Sequence, residues 1–451
     1  MSFEITKEYL QNVQQLIKDQ HNDALLKLLE AVHYADVAEL IEELDTDESL
    51  YLIKLLESDL TSDVIAELDE DTREKILKGL SSKEIAEELD ELDTDDAADI
   101  IAELSDDQKE EVIAHLEDHE HAKEIVELLR YDEDTAGGLM AKELVKVNEN
   151  WNVLTCVKEM RAQANEVTRV HSIYVVDQND ILKGRLSLKD LLTTSTKTAI
   201  KDVFINKVDS VNVHDAAEDV ARIMQKYDLD AIPVVDELGR LVGRITIDDI
   251  VDVIKEEAEK DYQMAAGLTE DVEADDTIWE LTRARLPWLV LGLLGGLGSV
   301  FIMEGYQEIM ANDQYKHLFF FTPLIAAMAG NVGVQSSAIV VQGLANDIIK
   351  GSLFNRLIKE VSLSLISGIV LGILVMVFGY ITGMELVFSF TVSISMLCVI
   401  IVAALIGTFV PIILDKRGID PAIATGPFIT TSNDIFGIFL FFFIAKIMLG
   451  F

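Results

Sequence analysis

The chain has 451 residues, which allows about three domains, and it carries 80 acidic against 37 basic side chains. Residues 1–276 hold 70 of the acids and 28 of the bases, whereas residues 277–451 hold ten and nine and are mostly apolar. So acidic a surface excludes nucleic acid as a partner, because phosphate contacts need Lys and Arg, and the two cysteines argue against disulfides and for a reducing compartment.

Residues 1–130 are predicted to form an acidic α-helical solenoid. Glu-Leu-Asp recurs at 43–45, 67–69 and 91–93, and each copy precedes a polar turn that can cap the next helix. Such a period is typical of stacked helical pairs. Asp95 and Asp99 lie four apart on one predicted helix face, where like charges destabilise the helix unless a cation binds. They form either a cation site or a solvated face.

A linker over 131–143 leads to an internal repeat. The run VVDQNDILKGRLSLKDL at Val175 aligns without a gap with VVDELGRLVGRITIDDI at Val234, an offset of 59 residues. The periodicity predicts two β-α-β-β-α modules, over 144–200 and 201–254. The pair resembles tandem cystathionine-β-synthase (CBS) domains, which are regulatory modules.

Each module ends in a pattern that resembles the ribose contact of nucleotide-binding CBS pairs. The pattern is Ser187 with Asp190 in the first module and Thr246 with Asp249 in the second. The resemblance implies ATP as a candidate ligand, and a pair that binds no ligand is the alternative.

A long connecting helix is predicted over 255–280. Around its start, Asp249, Asp252, Glu256 and Glu259 follow a spacing of i, i+3, i+7 and i+10, which places them on one helix face. This acidic stripe either faces solvent or couples the CBS pair to the segment that follows.

Residues 281–451 are predicted to form an all-α transmembrane domain. Five apolar stretches are long enough to cross about 30 Å of hydrocarbon. They run over roughly 285–303, 317–342, 359–381, 388–414 and 423–446. Seven Lys and Arg flank one side of these spans and two flank the other, which predicts a cytoplasmic N-terminus and an extracellular C-terminus.

Asp434 is the predicted pore residue, because it is the acid placed well inside an apolar stretch. An acid at a helix centre costs about 2.5–3.5 kcal/mol on insertion scales and is a functional candidate by default. Gly330 and Asn331 interrupt the second stretch, and a glycine there permits close helix approach or an exposed carbonyl. Structural pairing of Asp434 and simple helix packing at the glycine are the alternatives.

Taken in order, these parts closely resemble the MgtE family of Mg²⁺ transporters. The order is the acidic solenoid, the linker YDEDTAGGLM, the CBS pair, the acidic connecting helix, and five spans with AGNVGVQSS in the second and DPA followed by SND near the fifth. The resemblance covers essentially the whole chain. It implies a homodimer in the plasma membrane whose pore admits Mg²⁺ passively and closes when Mg²⁺ bridges the cytosolic acids.

The resemblance also assigns roles to residues. The family's pore aspartate matches Asp434, and the glycine whose carbonyl faces the ion matches Gly330, with Asn331 beside it. Asp420 matches an acid between the pore and the connecting helix. The family's regulatory Mg²⁺ ligands match Glu218, Asp228, Asp249, Asp252, Glu257 and Asp261, and we add Asp95 and Asp99 to this predicted set.

Two positions depart from the family pattern. Val334 and Gly426 stand where many members have Asn. The loss of two polar side chains near the ion path predicts weaker discrimination among Mg²⁺, Mn²⁺ and Co²⁺.

Two rival functions fit the same sequence. A coupled carrier for Mg²⁺, Mn²⁺ or Co²⁺ would differ from a channel in its conductance. A membrane-anchored nucleotide sensor without transport would leave Asp434 unexplained. An enzyme is not expected, because the sequence has no Walker A motif, no zinc-ligand cluster and no convincing catalytic triad.

Overall fold

The chain divides into two compact units. A computed structural model describes residues 5–164, 167, 169–269, 272, 276–311, 315–345, 353–424 and 426–450. The units are Met1–Lys255 and Glu256–Phe451, and the boundary between them falls within one long helix.

Ten short helices form the N-terminal part of the first unit, within residues 5–130. They are α1 Lys7–Lys18, α2 Asn22–Leu29, α3 Tyr34–Glu42, α4 Thr46–Ile53, α5 Ser58–Glu67, α6 Glu70–Leu77, α7 Ser82–Leu89, α8 Thr94–Glu103, α9 Asp106–His115 and α10 His119–Leu128. α3 packs on α5, α5 on α7 and α7 on α9, so successive helices stack as the predicted solenoid.

The repeated Glu-Leu-Asp motif marks the start of every second helix in this stack. Asp45, Asp69 and Asp93 each directly precede the first residue of α4, α6 and α8. The Asp45 carboxylate accepts the Glu48 N–H, and the Asp69 carboxylate accepts the Thr72 N–H. Asp45 and Asp69 therefore satisfy N–H groups that a helix start leaves unpaired, whereas the Asp93 side chain does not cap α8.

Two three-stranded sheets with the same topology follow. The strands are β1 Val145–Asn148, β2 Ile173–Val176, β3 Leu182–Leu186, β4 Val211–Asn212, β5 Ala231–Val235 and β6 Leu241–Thr246, and the helices are α11 Val153–Gln163, α12 Leu188–Thr193 and α13 Ala217–Tyr227. In each sheet the first strand pairs parallel with the second, which pairs antiparallel with the third. The predicted pair of β-α-β-β-α modules is confirmed.

The connecting helix ends before its predicted limit at residue 280. α14 spans Ile247–Ala266, so the closing helix of the second module and the connecting helix are one continuous helix. Gly267 follows with φ +86°, a left-handed conformation that commonly ends a helix. The predicted range overlooks Gly267, a residue type that commonly ends helices.

Five helices in the described part of the second unit are long and apolar enough to cross a membrane. They are α15 Ile278–Glu304, α16 Thr322–Ala345 (preceded by a 3-10 turn, Lys316–Phe321), α17 Leu353–Ile381, α18 Leu386–Asp415 and α19 Gly426–Leu449. α18 packs along α16, α17 and α19, and α19 also packs on α15 and α16. The five predicted spans are confirmed, and several helices extend beyond them.

Small residues allow these apolar helices to approach closely. On α17, Gly368 faces Leu397 and Gly372 faces Ser393 of α18. The Ser393 hydroxyl donates a 3.0 Å hydrogen bond to the Gly372 carbonyl. Glycine faces are a general solution for helix packing in lipid, where van der Waals contact replaces the hydrophobic effect.

Candidate cation sites

The first candidate site is a cluster of three carboxylates in the first unit. Ligand oxygens of Asp93, Asp95 and Glu143 all lie within 4.8 Å of one another. Asp93 precedes α8, Asp95 lies in its first turn, and Glu143 lies just before β1. Carboxylate oxygens at this separation are the ligands that Mg²⁺ and Ca²⁺ prefer.

Hydrogen bonds fix Glu143 against the start of α8. The Thr94 N–H and hydroxyl donate to its two carboxylate oxygens over 3.2 and 2.9 Å. The Thr94 hydroxyl oxygen in turn accepts the Lys142 N–H over 2.9 Å. The end of the linker is thereby tied to the solenoid next to the three carboxylates.

Arg244 of β6 contacts the same cluster from the second CBS module. Its Nη2 donates to Asp93 over 3.1 Å, and its Nε donates to the Glu143 carbonyl. The side chain is buried, so its charge offsets part of the repulsion among the acids. The cluster therefore lies where solenoid, linker and second module meet.

Crowding of the acids is visible in their proton affinities. Burial raises the pKa of Asp95 well above its usual range, and the charges of Asp96 and Asp249 raise it further. Although Asp96 is exposed, desolvation by the surrounding protein and the charge of Asp249 raise its pKa to about 7. Asp99 is also exposed, and desolvation and the charge of Asp96 raise its pKa to about 7. A bound dication would relieve this repulsion.

The structure brings three of the predicted regulatory acids into one electrostatic neighbourhood, namely Asp95, Asp99 and Asp249. Glu218 pairs with Arg222 at 3.1 Å, and Asp228 is an exposed left-handed residue after α13. Asp252 is exposed, and Glu257 pairs with Lys260 at 3.3 Å. Asp261 is half-buried.

In the described part of the chain, the acids outside the Asp93–Asp95–Glu143 cluster form no further group of three with converging ligand atoms. This holds for Glu218, Asp228, Asp252, Glu257 and Asp261. Sequence reasoning missed Asp93, Glu143 and Arg244. The repeat match of Arg244 with Arg185 was a signal for the arginine, whereas no local pattern singles out Glu143.

The two residue pairs predicted to contact a ribose differ in the hydrogen bonds that they already make. Thr246 donates both its N–H and its hydroxyl to one Asp249 oxygen, over 2.9 and 2.8 Å. Ser187 instead accepts the Lys189 N–H over 3.2 Å, and among the described residues no hydrogen bond joins its hydroxyl to Asp190. Asp249 is thus engaged in starting α14 and lies among other acids.

The second candidate site lies among the apolar helices of the second unit. A Cβ placed at Gly330 of α16 would lie 3.5 Å from Asp434 Oδ1 and 3.1 Å from Thr430 Cγ2 of α19. The two predicted pore residues therefore face each other across the α16–α19 contact. Asn331 is exposed on the single chain.

Asn433, next to Asp434, is the buried polar residue of this region. It is 1 % exposed, packs against Gly333, and its amide atoms have no hydrogen-bond partner within the described residues.

Gly426 and Asp420 lie at the start of α19. Asp420 is exposed, and its carboxylate accepts the Ala422 N–H over 2.7 Å. Gly426 has φ +49°, and no Cβ fits there because the Ala265 carbonyl of α14 occupies the space. Gly267 likewise abuts Pro427. The end of α14 and the start of α19 thus meet through two glycines.

The sequence predicts Asp434 as the acid inside an apolar span, but the structure places a second acid, Glu360, inside another. Because α17 begins at Leu353 and not near 359, Glu360 lies one and a half to two turns inside that helix. Its carboxylate accepts a 2.5 Å hydrogen bond from the Ser336 hydroxyl of α16. The sequence placed Glu360 at a span edge, because an apolar window cannot locate the true helix start.

Sequence families match most of the N-terminal helices, the two β-α-β-β-α modules and the helices α16 to α19. The family described as "Divalent cation transporter" matches residues 322–444, "MgtE intracellular N domain" matches 32–134, and "CBS domain" matches 136–196 and 200–256.

Characterised relatives cover most of the chain. The "Magnesium transporter MgtE" of Enterococcus faecalis is 38 % identical over 326 residues, which is 72 % of this chain and 71 % of the relative. The proteins of the same name from Bacillus subtilis and Thermus thermophilus are 35 % and 33 % identical, over 70 % and 71 % of this chain and 70 % and 72 % of the relatives.

Two solved structures match the first unit. The soluble part of a magnesium transporter is 33 % identical with a TM-score of 0.50, and the match covers 56 % of this chain and 99 % of that one. The cytosolic domain of the Mg²⁺ channel MgtE in complex with ATP is 34 % identical with a TM-score of 0.51, covering 54 % and 99 %.

Proposed function

The chain belongs to the MgtE family of magnesium transporters, and from that premise we propose that it is a channel that admits Mg²⁺ to the cytosol and closes when cytosolic Mg²⁺ binds its acidic sites. The observation that carries the proposal is the contact of Asp434 with Gly330 among apolar helices. An acid at that position is costly unless it serves an ion path.

The chemistry of Mg²⁺ suits this site. Mg²⁺ dehydrates reluctantly and is held through one or two carboxylates together with retained waters. One Asp434 per chain, with a backbone carbonyl at Gly330, gives a hydrated dication a carboxylate without a full protein cage. We propose a homodimer with the pore between the two membrane parts, the N-terminus cytoplasmic and the C-terminus extracellular.

The energetics require a shut-off. Two charges that cross 100 mV release about 4.6 kcal/mol, enough for roughly a thousandfold accumulation. The acids Asp93, Asp95 and Glu143 supply a sensor, because Mg²⁺ that bridges them favours the compact arrangement of solenoid, linker and second module. Asp99 and Asp249 add negative charge to the same neighbourhood.

The remaining predicted regulatory acids have a part in this proposal. Glu218, Asp228, Asp252, Glu257 and Asp261 would complete Mg²⁺ sites only when further domains or a second chain approach them. The contact of Ala265 with Gly426 supports α14 as the element that transmits closure to α19, eight residues before Asp434.

We also propose ATP binding at the CBS pair, at Ser187 and Asp190. A relative's cytosolic domain has been solved with ATP. Residues 144–200 hold eight basic and six acidic residues, whereas 201–254 hold six and twelve. A polyanion is therefore better accommodated by the first module, and Asp249 is already bonded to Thr246. Titration calorimetry should lose the ATP signal in Asp190→Ala and keep it in Asp249→Ala.

Uptake of Mg²⁺ into proteoliposomes tests the main proposal. We expect membrane-potential-driven uptake that falls when millimolar Mg²⁺ is present on the cytosolic face. Single-channel currents would favour a channel, whereas uptake that needs a second ion and shows no unitary currents would indicate the coupled carrier. Absence of any uptake by folded protein would favour the nucleotide sensor.

A further inference from the structure

Glu360 is a second acid among the apolar helices, and neither the pore site nor the regulatory sites use it. It lies seven residues after the first residue of α17 and is half-buried. A carboxylate inside an apolar helix is costly, and such residues face a partner or a polar path. Within the described residues, no Lys, Arg or His lies within salt-bridge distance of it.

Its partner is Ser336 of α16, which is 4 % exposed. The hydroxyl donates a hydrogen bond to Glu360 Oε1, and a hydroxyl that donates to a carboxylate forms a charge-assisted bond. Such bonds are roughly twice as strong as neutral ones, and a buried hydroxyl depends on the partner that it has.

The bond joins two helices that otherwise make little direct contact within the described residues. α16 and α17 each pack along α18, and neither packs extensively on the other. The hydrogen bond between Glu360 and Ser336 is therefore a direct link between α16 and α17.

α16 also presents Gly330 to Asp434. Ser336 lies six residues further on, about 9 Å along the axis and on a different face of the helix. On the α19 side, glycines make the contact: Gly330 meets Thr430 and Asp434, and Gly333 meets Asn433. Glycine contacts allow close approach but set the rotation of a helix weakly. A directional bond from another face sets it more strongly.

We propose that Glu360 is a positioning residue for ion conduction: through Ser336 it fixes the rotation of α16 and so the placement of Gly330 against Asp434. The inference rests on the proposed transport function. It predicts that loss of either partner changes how the pore treats ions, even though neither side chain touches the ion.

The test uses the full-length protein in proteoliposomes, with initial uptake of Mg²⁺ and of Mn²⁺ measured separately. Ser336→Ala and Glu360→Leu should each lower Mg²⁺ uptake about tenfold, the scale of a lost charge-assisted hydrogen bond. The double variant should be no worse than either single one. Glu360→Gln keeps an acceptor oxygen and should retain at least half of the uptake.

The ratio of Mn²⁺ to Mg²⁺ uptake separates positioning from simple loss of folded protein. A displaced Gly330 should change this ratio in Ser336→Ala and Glu360→Leu, whereas misfolding lowers both rates equally. Ser362→Ala is the matched control, because its hydroxyl bonds only to Ile358 of its own helix.

Two results would overturn the inference. Normal uptake in Ser336→Ala with full loss in Glu360→Gln would make Glu360 an ion ligand. If all variants kept normal uptake rates and normal Mn²⁺ to Mg²⁺ ratios, Glu360 would have no role in positioning α16 and would only reach the membrane surface. Both of these results leave the proposed transport function intact. That function would be contradicted if the wild-type protein failed to take up Mg²⁺.

Discussion

The proposed ion path depends on two residues, Asp434 and Gly330. A Cβ at Gly330 would lie 3.1 Å from Thr430 Cγ2 and 3.5 Å from Asp434 Oδ1, so the glycine keeps the space beside the carboxylate open. In the proposed path, the carboxylate supplies charge and the glycine supplies access. The effects of substitution should therefore differ in kind at the two positions.

Asp434→Ala is expected to reduce Mg²⁺ uptake to background while the protein still folds and inserts. Asp434→Asn should be almost as severe, since a neutral amide cannot offset a dication in a low-dielectric site. Flux into proteoliposomes checks this, with Asp415→Asn at the exposed end of α18 as the control. Near-normal uptake by correctly inserted Asp434→Ala would contradict the pore assignment.

We predict relaxed ion selectivity, because Val334 and Gly426 stand where many family members have the polar side chain of Asn. We expect Mn²⁺ and Co²⁺ to compete with Mg²⁺ for uptake, and Val334→Asn to reduce that competition several-fold. Competition assays with the wild type and the variant decide the matter. Strict exclusion of Mn²⁺ by the wild type would show that these positions are not the filter.

At the scale of elements, local sequence patterns were sufficient to predict the fold. The candidate sites also depend on contacts between residues that are far apart in the sequence. The CBS modules, the solenoid and the five spans follow from periodicity. Glu143 and Thr94 are 49 residues apart, and Arg244 and Asp93 are 151 apart. Such pairs depend on how elements pack, so no sequence spacing points to them. The pairing of Ser336 with Glu360 likewise depends on how α16 and α17 lie together, in addition to the true start of α17.

The meeting of α14 and α19 is an element-scale contact that the sequence did not predict. Gly426 was interpreted as a lost polar side chain, whereas the structure gives it a steric role against Ala265. Its positive φ adds a second constraint, because side-chain-bearing residues rarely adopt it.

Gly426→Ala should push the end of α14 away from α19 and leave the pore less responsive to cytosolic Mg²⁺. We expect the Mg²⁺ concentration for half-closure to rise at least severalfold, with Gly267→Ala acting in the same direction because it would meet Pro427. Mg²⁺-dependent flux is the measurement. Gly292→Ala is the control, since nothing lies within 4 Å of a Cβ there. Unchanged closure in both variants would exclude this contact from gating.

At the scale of the whole molecule, charge is the organising property. The formal net charge is −43, and the first 276 residues hold nearly all of it. Self-repulsion of this size destabilises a compact state. Ligands that bind the compact form and not the expanded one shift the balance by mass action. Protons and Mg²⁺ both qualify, and they compete for the same carboxylates.

That competition yields a pH-dependent prediction. Asp96 and Asp99 have pKa values raised from 3.8 to about 7 in the folded chain. Between these values the folded state binds more protons than the unfolded state, so without Mg²⁺ the stability falls as the pH rises through about 7. Mg²⁺ replaces those protons, and its stabilising effect should therefore be larger at pH 8 than at pH 6. Limited proteolysis of the full-length protein across a Mg²⁺ titration measures this.

Asp96→Asn with Asp99→Asn should flatten the pH dependence, whereas Glu110→Gln, at an exposed acid of α9, should not. Equal protection by Mg²⁺ at both pH values would mean that the ion binds elsewhere, and that the crowded carboxylates of α8 serve solubility alone.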